Sequence, residues 1–440
     1  MATVTVPGGP GQSPVTYTYS SSAGLTVAQQ IANALGAASV AGTLTTSTVS
    51  SGSASTPTPT TGGGASDVVI TGSGPTSISA GSGTGGNYAT YGNTSTPGNV
   101  TVGAGVQLVT GTVGGSFFAT GGGSEIGALG GNNTITATAS NETIGGGSGS
   151  NLLTAAAGGD YIAASGTDTV VISATSGTDT VALYGSTGAN LVGGAASMVV
   201  WGGNNDTISA GSGSSTLFGA YSGNSDLYFL NSSPSIFVDN GGANTIVGGS
   251  GPATIFGSGP DLIYGGTGPM AYVTAGAGNP TIVGTSAQVT LFGGAGGNID
   301  FVNGPSSKGA LFVAAGGNET LNASGASAPV IAWGGTVAGS SDVLLGGSGA
   351  DVLEAGVGTT TMTGGAGANL FGFIQGRAGG SITITDMNSS DSVALTGYGV
   401  AATNSAIAAA TGSSLTLSDG TTITFKNVLV SSISSDIKVG

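Results

Sequence analysis

The chain has 440 residues, 89 of them glycine and 38% hydrophobic, with no cysteine, no histidine and no strict Gly-X-Y period. This excludes collagen, disulfide scaffolds, the usual zinc sites and thiolate or imidazole catalysis, and the hydrophobic fraction argues against disorder. Nineteen acidic residues against four basic ones (Lys308, Arg377, Lys426 and Lys438) give a net charge of −15. Nucleic acid and anionic membranes need clustered cations and are excluded as partners, whereas a cation suits the chain.

In chain order, the N-terminus (Met1 to Val6) lacks the basic region and apolar core of a signal peptide. Residues 1–66 carry no charge, and apolar Val27, Ile31 and Leu35 predict a helix over 25–36 with Gly36 as its C-cap. The helix reads as a cap over the open end of a β-stack or, alternatively, as a docking element. Residues 51–64, rich in Ser, Thr, Pro and Gly, read as a linker. No stretch approaches the ~20 apolar residues of a membrane-spanning helix.

From about residue 65 to 373 the chain repeats close to every nine residues, each unit a short apolar strand followed by a Gly-rich turn. The clearest runs begin at Ala243 and Ser341, and Gly166-Thr-Asp168 is echoed by Gly177-Thr-Asp179. Nine residues are too few for a helical repeat and suit a strand plus turn, two of which make one coil. The expected fold is therefore all-β, a parallel β-solenoid (β-roll) of nine-residue half-coils, with the short N-terminal helix and a β-rich end. Residues 1–64 form an uncharged N-terminal segment, 65–373 the solenoid and 374–440 a separate C-terminal β-rich unit. That last unit alternates at Ile382-Thr-Ile384 and Ile423-Thr-Phe425, turns at Asp419-Gly420, and has an Ala-rich segment, 400–410, of helical composition.

The unit Gly346-Gly347-Ser348-Gly349-Ala350-Asp351-Val352-Leu353 closely resembles the calcium-binding nonapeptide of the repeats-in-toxin family. The resemblance implies calcium held between coils by turn carbonyls and the aspartate. Asp342, Asp351 and Asn369 share one register, with Asp351 the best ligand, facing the Gly364–Gly367 turn one coil later. Gly347, Gly349, Gly365 and Gly367 would supply the carbonyls. Asp261, Asp206 and Asp160 sit in less complete turns, and Asn replaces Asp at Asn151, Asn244 and Asn369. The alternative is that these residues only satisfy tight turns.

The C-terminal region is also similar to that of type I secreted proteins of this family, whose export signal is C-terminal and uncleaved. Family enzymes carry catalytic domains, but this chain has no histidine base, so a non-enzyme is expected. The function expected is a secreted, self-assembling surface-layer or biofilm-matrix protein. Its main partner is itself, with cell-surface polysaccharide as a further candidate. An adhesin, a carbohydrate- or ice-binding solenoid and a polysaccharide-active enzyme are the alternatives.

Overall fold

The computed structural model describes residues 2–6, 14–19, 22–43, 45–48, 52–55, 66–71, 76–80, 86–91 and 98–440, less 110–113, 129, 148, 222–223, 277, 295 and 304–306. The chain divides into two compact units, residues 1–220 with 224–228, and residues 221–223 with 229–440. Each is a parallel β-solenoid.

In the first unit, strands alternate between two parallel sheets. Thr143–Gly145, Tyr161–Gly166, Thr178–Ser186 and Ser197–Trp201 follow one another in the front sheet. Thr134–Ala137, Leu152–Ala155, Thr169–Ile172 and Asn190–Val192 do so in the back sheet. Alternation of side chains along each strand sends one set inward, where it meets its copies from neighbouring coils. Ile126, Ile144, Ile162, Val181, Val200 and Leu217 form one such column, all fully buried. Single short strands bury too little to be stable, but a stacked column of β-branched and leucine side chains gains about 1.5–3 kcal/mol for each one buried.

The second unit repeats the plan with larger side chains. Its front sheet stacks Phe237, Ile255, Tyr272, Leu291 and Phe312 inward, again fully buried. The stretch read from the sequence as a separate C-terminal unit contributes its strands to these same sheets. Ser381–Ile384 pairs with Thr359–Thr363, and Ser392–Thr396 pairs with Leu370–Ile374. The Ala-rich segment is a helix, Val400–Ala409, inserted before the last coil. The Asp-Gly turn joins antiparallel Ser414–Thr416 to Thr422–Phe425.

Coil length departs from two equal nine-residue halves. Paired strands lie 17 residues apart at Asn190↔Thr207, 21 apart at Val289↔Ala310 and 24 apart at Gly52↔Thr76. The extra residues enter turns or a bulge, such as the register shift between Ala163 and Ser165, where they disturb no inward column. Where turns do stack closely, glycine is obligatory. A Cβ on Gly365, at φ +80°, would lie 2.1 Å from the Gly347 carbonyl oxygen, and one on Gly367, at φ +99°, 2.1 Å from that of Gly349.

The N-terminal helix, α1, spans Ser22–Ala41 and buries Ile31, Ala32, Leu35 and Ala38. It packs on the antiparallel hairpin Ala2–Val6/Val15–Tyr19 and along strands Ser66–Thr71, Gly86–Tyr91, Val106–Val109 and Glu125–Gly127 of the front sheet. The helix therefore covers the side of the coils and not their open end. At 20 residues, about 30 Å, it is long enough to cross several strands about 4.8 Å apart. Of the expected linker, Gly52–Ser55 is a strand paired in parallel with Thr76–Ala80, while residues 51 and 56–64 lie outside the described residues.

Candidate functional site

The predicted ligands all sit where a turn feeds a strand, and every aspartate or asparagine among them is at most 3% exposed. Asp351 accepts the backbone N–H of Val330, in the preceding coil, at Oδ1 (2.7 Å), and the N–H of Gly347, in its own turn, at Oδ2 (2.8 Å). Its own N–H is donated to Asn369 Oδ1 of the next coil (3.0 Å), and the Asn369 N–H goes on to Asp391 Oδ1 (2.9 Å). The result is a ladder in which each side chain accepts a buried strand-start N–H from the coil before it.

The same arrangement recurs at the other predicted positions. Asp342 accepts Glu319 N–H at Oδ1 (3.4 Å) and Gly335 N–H at Oδ2 (2.8 Å). Asp206 accepts Ala189 N–H at Oδ1 (2.8 Å), and Gly203 N–H (3.0 Å) and the Ser186 hydroxyl at Oδ2. Asp261 accepts Asn244 N–H (2.9 Å), and Asp160 accepts Glu142 N–H (2.8 Å) while donating its own N–H to Asp179 Oδ1 (3.0 Å).

The structure joins Asp351 and Asn369 in one ladder and places Asp160, Asp206, Asp261 and Asp342 in others. Sequence reasoning did not select Glu142, Asp226, Glu319 or Asp391, nor Asp168 and Asp179 as members of the set. Their signal is an acid or amide immediately before or at the start of a strand, one coil from the next.

This donor set does not fit a calcium ion at Asp351, Asp342 or Asp206, where both carboxylate oxygens already face N–H or O–H donors; a cation needs acceptors converging on it. Asp351 Oδ2 is bonded to the Gly347 N–H of its own turn and not to the Gly364–Gly367 turn. Instead, that turn stacks on Gly346–Gly349, and the Gly347 carbonyl accepts the Ala366 N–H (2.9 Å). Among the described residues no three acidic side chains are grouped to hold a metal. Asp160 Oδ2 and Asp261 Oδ2 are buried without a partner, as are Glu142 Oε1 and Asp179 Oδ2.

Burial without counter-charge raises the proton affinity of these acids. Desolvation, with Asp160 nearby, pushes Glu142 up to about 8. Desolvation, with Asp239 nearby, pushes Asp261 to about 7, and desolvation brings Asp160, Asp168 and Asp226 to about 6. Asp351, Asp206, Asp179 and Glu319 rise for the same reason. The ladder is thus a set of acceptors that work in neutral or charged form, provided an N–H faces them.

Three outcomes follow from this geometry. Asp351→Ala leaves the Val330 and Gly347 N–H groups buried without acceptors and should cost about 1–3 kcal/mol for each in urea unfolding. Asp351→Asn keeps one carbonyl oxygen and should cost clearly less; equal losses would show that the ladder bond is not what holds the turn. Second, unfolded carboxyls titrate near 4, so the folded chain binds extra protons between about pH 4 and 8. The associated stability is complete below pH 4 and lost as pH rises through 6 to 8, so the melting temperature should fall from pH 5 to pH 8. A flat or rising profile would refute the raised proton affinities, and Glu142→Gln should flatten the upper part of the curve. Third, chelating calcium with EGTA should leave the circular dichroism and melting temperature unchanged; marked destabilisation would mean that ions hold the coils.

No helix among the described residues is long and apolar enough to cross a membrane. No family model, curated protein or solved structure matches the chain.

Proposed function

We propose that the chain is a self-assembling structural protein of a surface layer or extracellular matrix, exported by a C-terminal signal and built on its β-solenoid. The observation that carries this reading is the open strand edge. Among the described residues, Thr45–Thr48 and Gly52–Ser55 each pair with a strand on one side only, and so does Ile437–Val439. An unpaired edge offers a row of N–H and C=O groups to another chain unless charge, proline or a covering element blocks it. Neither Thr45–Thr48 nor Gly52–Ser55 contains a charged residue or a proline, Ile437–Val439 carries the single charge of Lys438, and α1 packs along the front-sheet strands from Ser66–Thr71 onward.

Contact between a C-terminal edge and the N-terminal edge of the next copy is heterologous, so it propagates instead of closing as a dimer. The uncharged first 66 residues keep electrostatic repulsion away from that contact, although the whole chain carries −15. The reading does not depend on calcium, because acids and amides facing N–H groups hold the coils together.

Negative-stain microscopy and light scattering of the purified protein should show filaments or sheets. The double variant Thr46→Lys/Ser53→Lys, which charges both N-terminal edge strands, should stay monomeric with an unchanged far-ultraviolet spectrum. A wild-type protein that remains monomeric at high concentration would overturn the structural reading.

A further inference from the structure

The outward face of the front sheet in the second unit carries a column of large apolar side chains. Val238, Phe256, Val273, Phe292, Val313 and Trp333 occupy one register position in six successive coils. The rings fall on every second coil, so Phe256, Phe292 and Trp333 are spaced at about 10 Å. Phe256 is 36% and Phe292 39% exposed, and Trp333 is half-buried. Two residues before each phenylalanine, Thr254 and Thr290 point outward from the same strands.

Two grooves flank this column. One, of about 570 Å³, runs beside the strand starts and is lined by Thr254, Thr267, Ser286, Gln288, Thr290 and Lys308 among others. The other, of about 530 Å³, lies at the strand ends, where Trp333 meets Val313, Glu354, Val357, Ile374 and Arg377. Among the described residues, no hydrogen bond or ion pair engages the Lys308 ammonium or the Arg377 guanidinium.

We propose that this face binds an extended, neutral, β-1,4-linked glycan. A pyranose in such a chain presents C–H groups on its faces and hydroxyls at its rim, matching rings flanked by hydroxyl, amide and charged groups. Two sugars of an extended chain span a length comparable to two coils, so each ring meets an equivalent sugar. The grooves supply donors from Lys308, Arg377 and Gln288 and acceptors from Glu354, Gln288 and the hydroxyls, which is what a group that both donates and accepts requires. One carboxylate offsets one of the two cations, and a chain at −15 repels a polyanion, so the ligand is neutral.

A second copy fits less well. Six strands at about 4.8 Å and a width near 15 Å give roughly 430 Å², against the ~800 Å² per partner of a stable interface. A narrow polymer needs no more than that. This binding role is independent of edge-to-edge assembly.

The test uses the full-length protein with Trp201→Phe, which leaves Trp333 as the only tryptophan. Cellohexaose and chitohexaose are titrated against its fluorescence, with a galacturonate hexamer as the anionic probe. A saturable change is expected with at least one neutral hexamer, weakened roughly tenfold by Phe292→Ala and by Gln288→Ala, each about 1.4 kcal/mol. Sedimentation and far-ultraviolet spectra should be the same for all variants. The proposal is overturned if neither neutral hexamer saturates, if only galacturonate binds, or if Phe292→Ala changes the association state and leaves the titration untouched.

Discussion

The structure depends on one hydrogen bond repeated along the stack: a backbone N–H at the start of a strand, buried, donated to a carboxyl or amide oxygen of the next coil. Sheet pairing satisfies the strands themselves, and some strand starts are met by a backbone carbonyl, as Ala253 N–H is by Pro269 (3.0 Å), but at the ladder positions the turn hands over to its strand through a buried N–H whose acceptor is a side chain. Asn133 N–H to Asn151 Oδ1 (2.9 Å), then Asn151 N–H to Asp168 Oδ1 (2.8 Å), shows that amide and acid serve alike, since only one oxygen is required. The second oxygen of the acid closes its own turn, as Asp168 Oδ2 does with the Ser165 N–H (2.8 Å). Remove this bond and two buried N–H groups, one in the turn and one in the coil before, lose their acceptor.

The near absence of lysine and arginine follows from the same bond. A buried carboxylate ordinarily needs a cation, and a solenoid only two strands thick has no room inside for lysine or arginine side chains. Dipolar N–H groups take the cation's place, helped by protons at Glu142 and Asp261, where burial has raised the affinity for them. The net charge of −15 counts every acid as ionised, and these two groups carry less of it near neutral pH than the sequence suggests.

Much of the fold was legible because the repeat is written in the sequence: apolar alternation for the strands, glycine for the turns, and Asp419-Gly420 for the one hairpin in the C-terminal region. The position of Asp351 was legible too, but the direction of its carboxyl was not. Gly-Gly-x-Gly-x-Asp has the same spacing whether the acid turns toward an ion between coils or back toward Gly347 N–H, and only burial separates the two. The placement of α1 escaped for a similar reason, because Ile31 and Leu35 announce an apolar stripe without saying which surface it meets. The ring column of the second unit was hidden by slips in coil length. Phe256 and Phe292 are 36 residues apart and Phe292 and Trp333 are 41, so no fixed period reveals them.

Those uneven coils have a consequence for how the chain is made. Among the described residues, the strand pairings within each unit between residues 98 and 373 join residues no more than 23 apart, however much the turns vary, so apart from the packing of α1 few contacts must wait for a distant segment. Within each unit, a coil can close as soon as its own residues and those of the coil before it are present, and loop closure over so few residues costs little entropy. Folding can therefore proceed as templated growth in the order of synthesis or of passage through a narrow exit. A lengthened turn delays only its own coil.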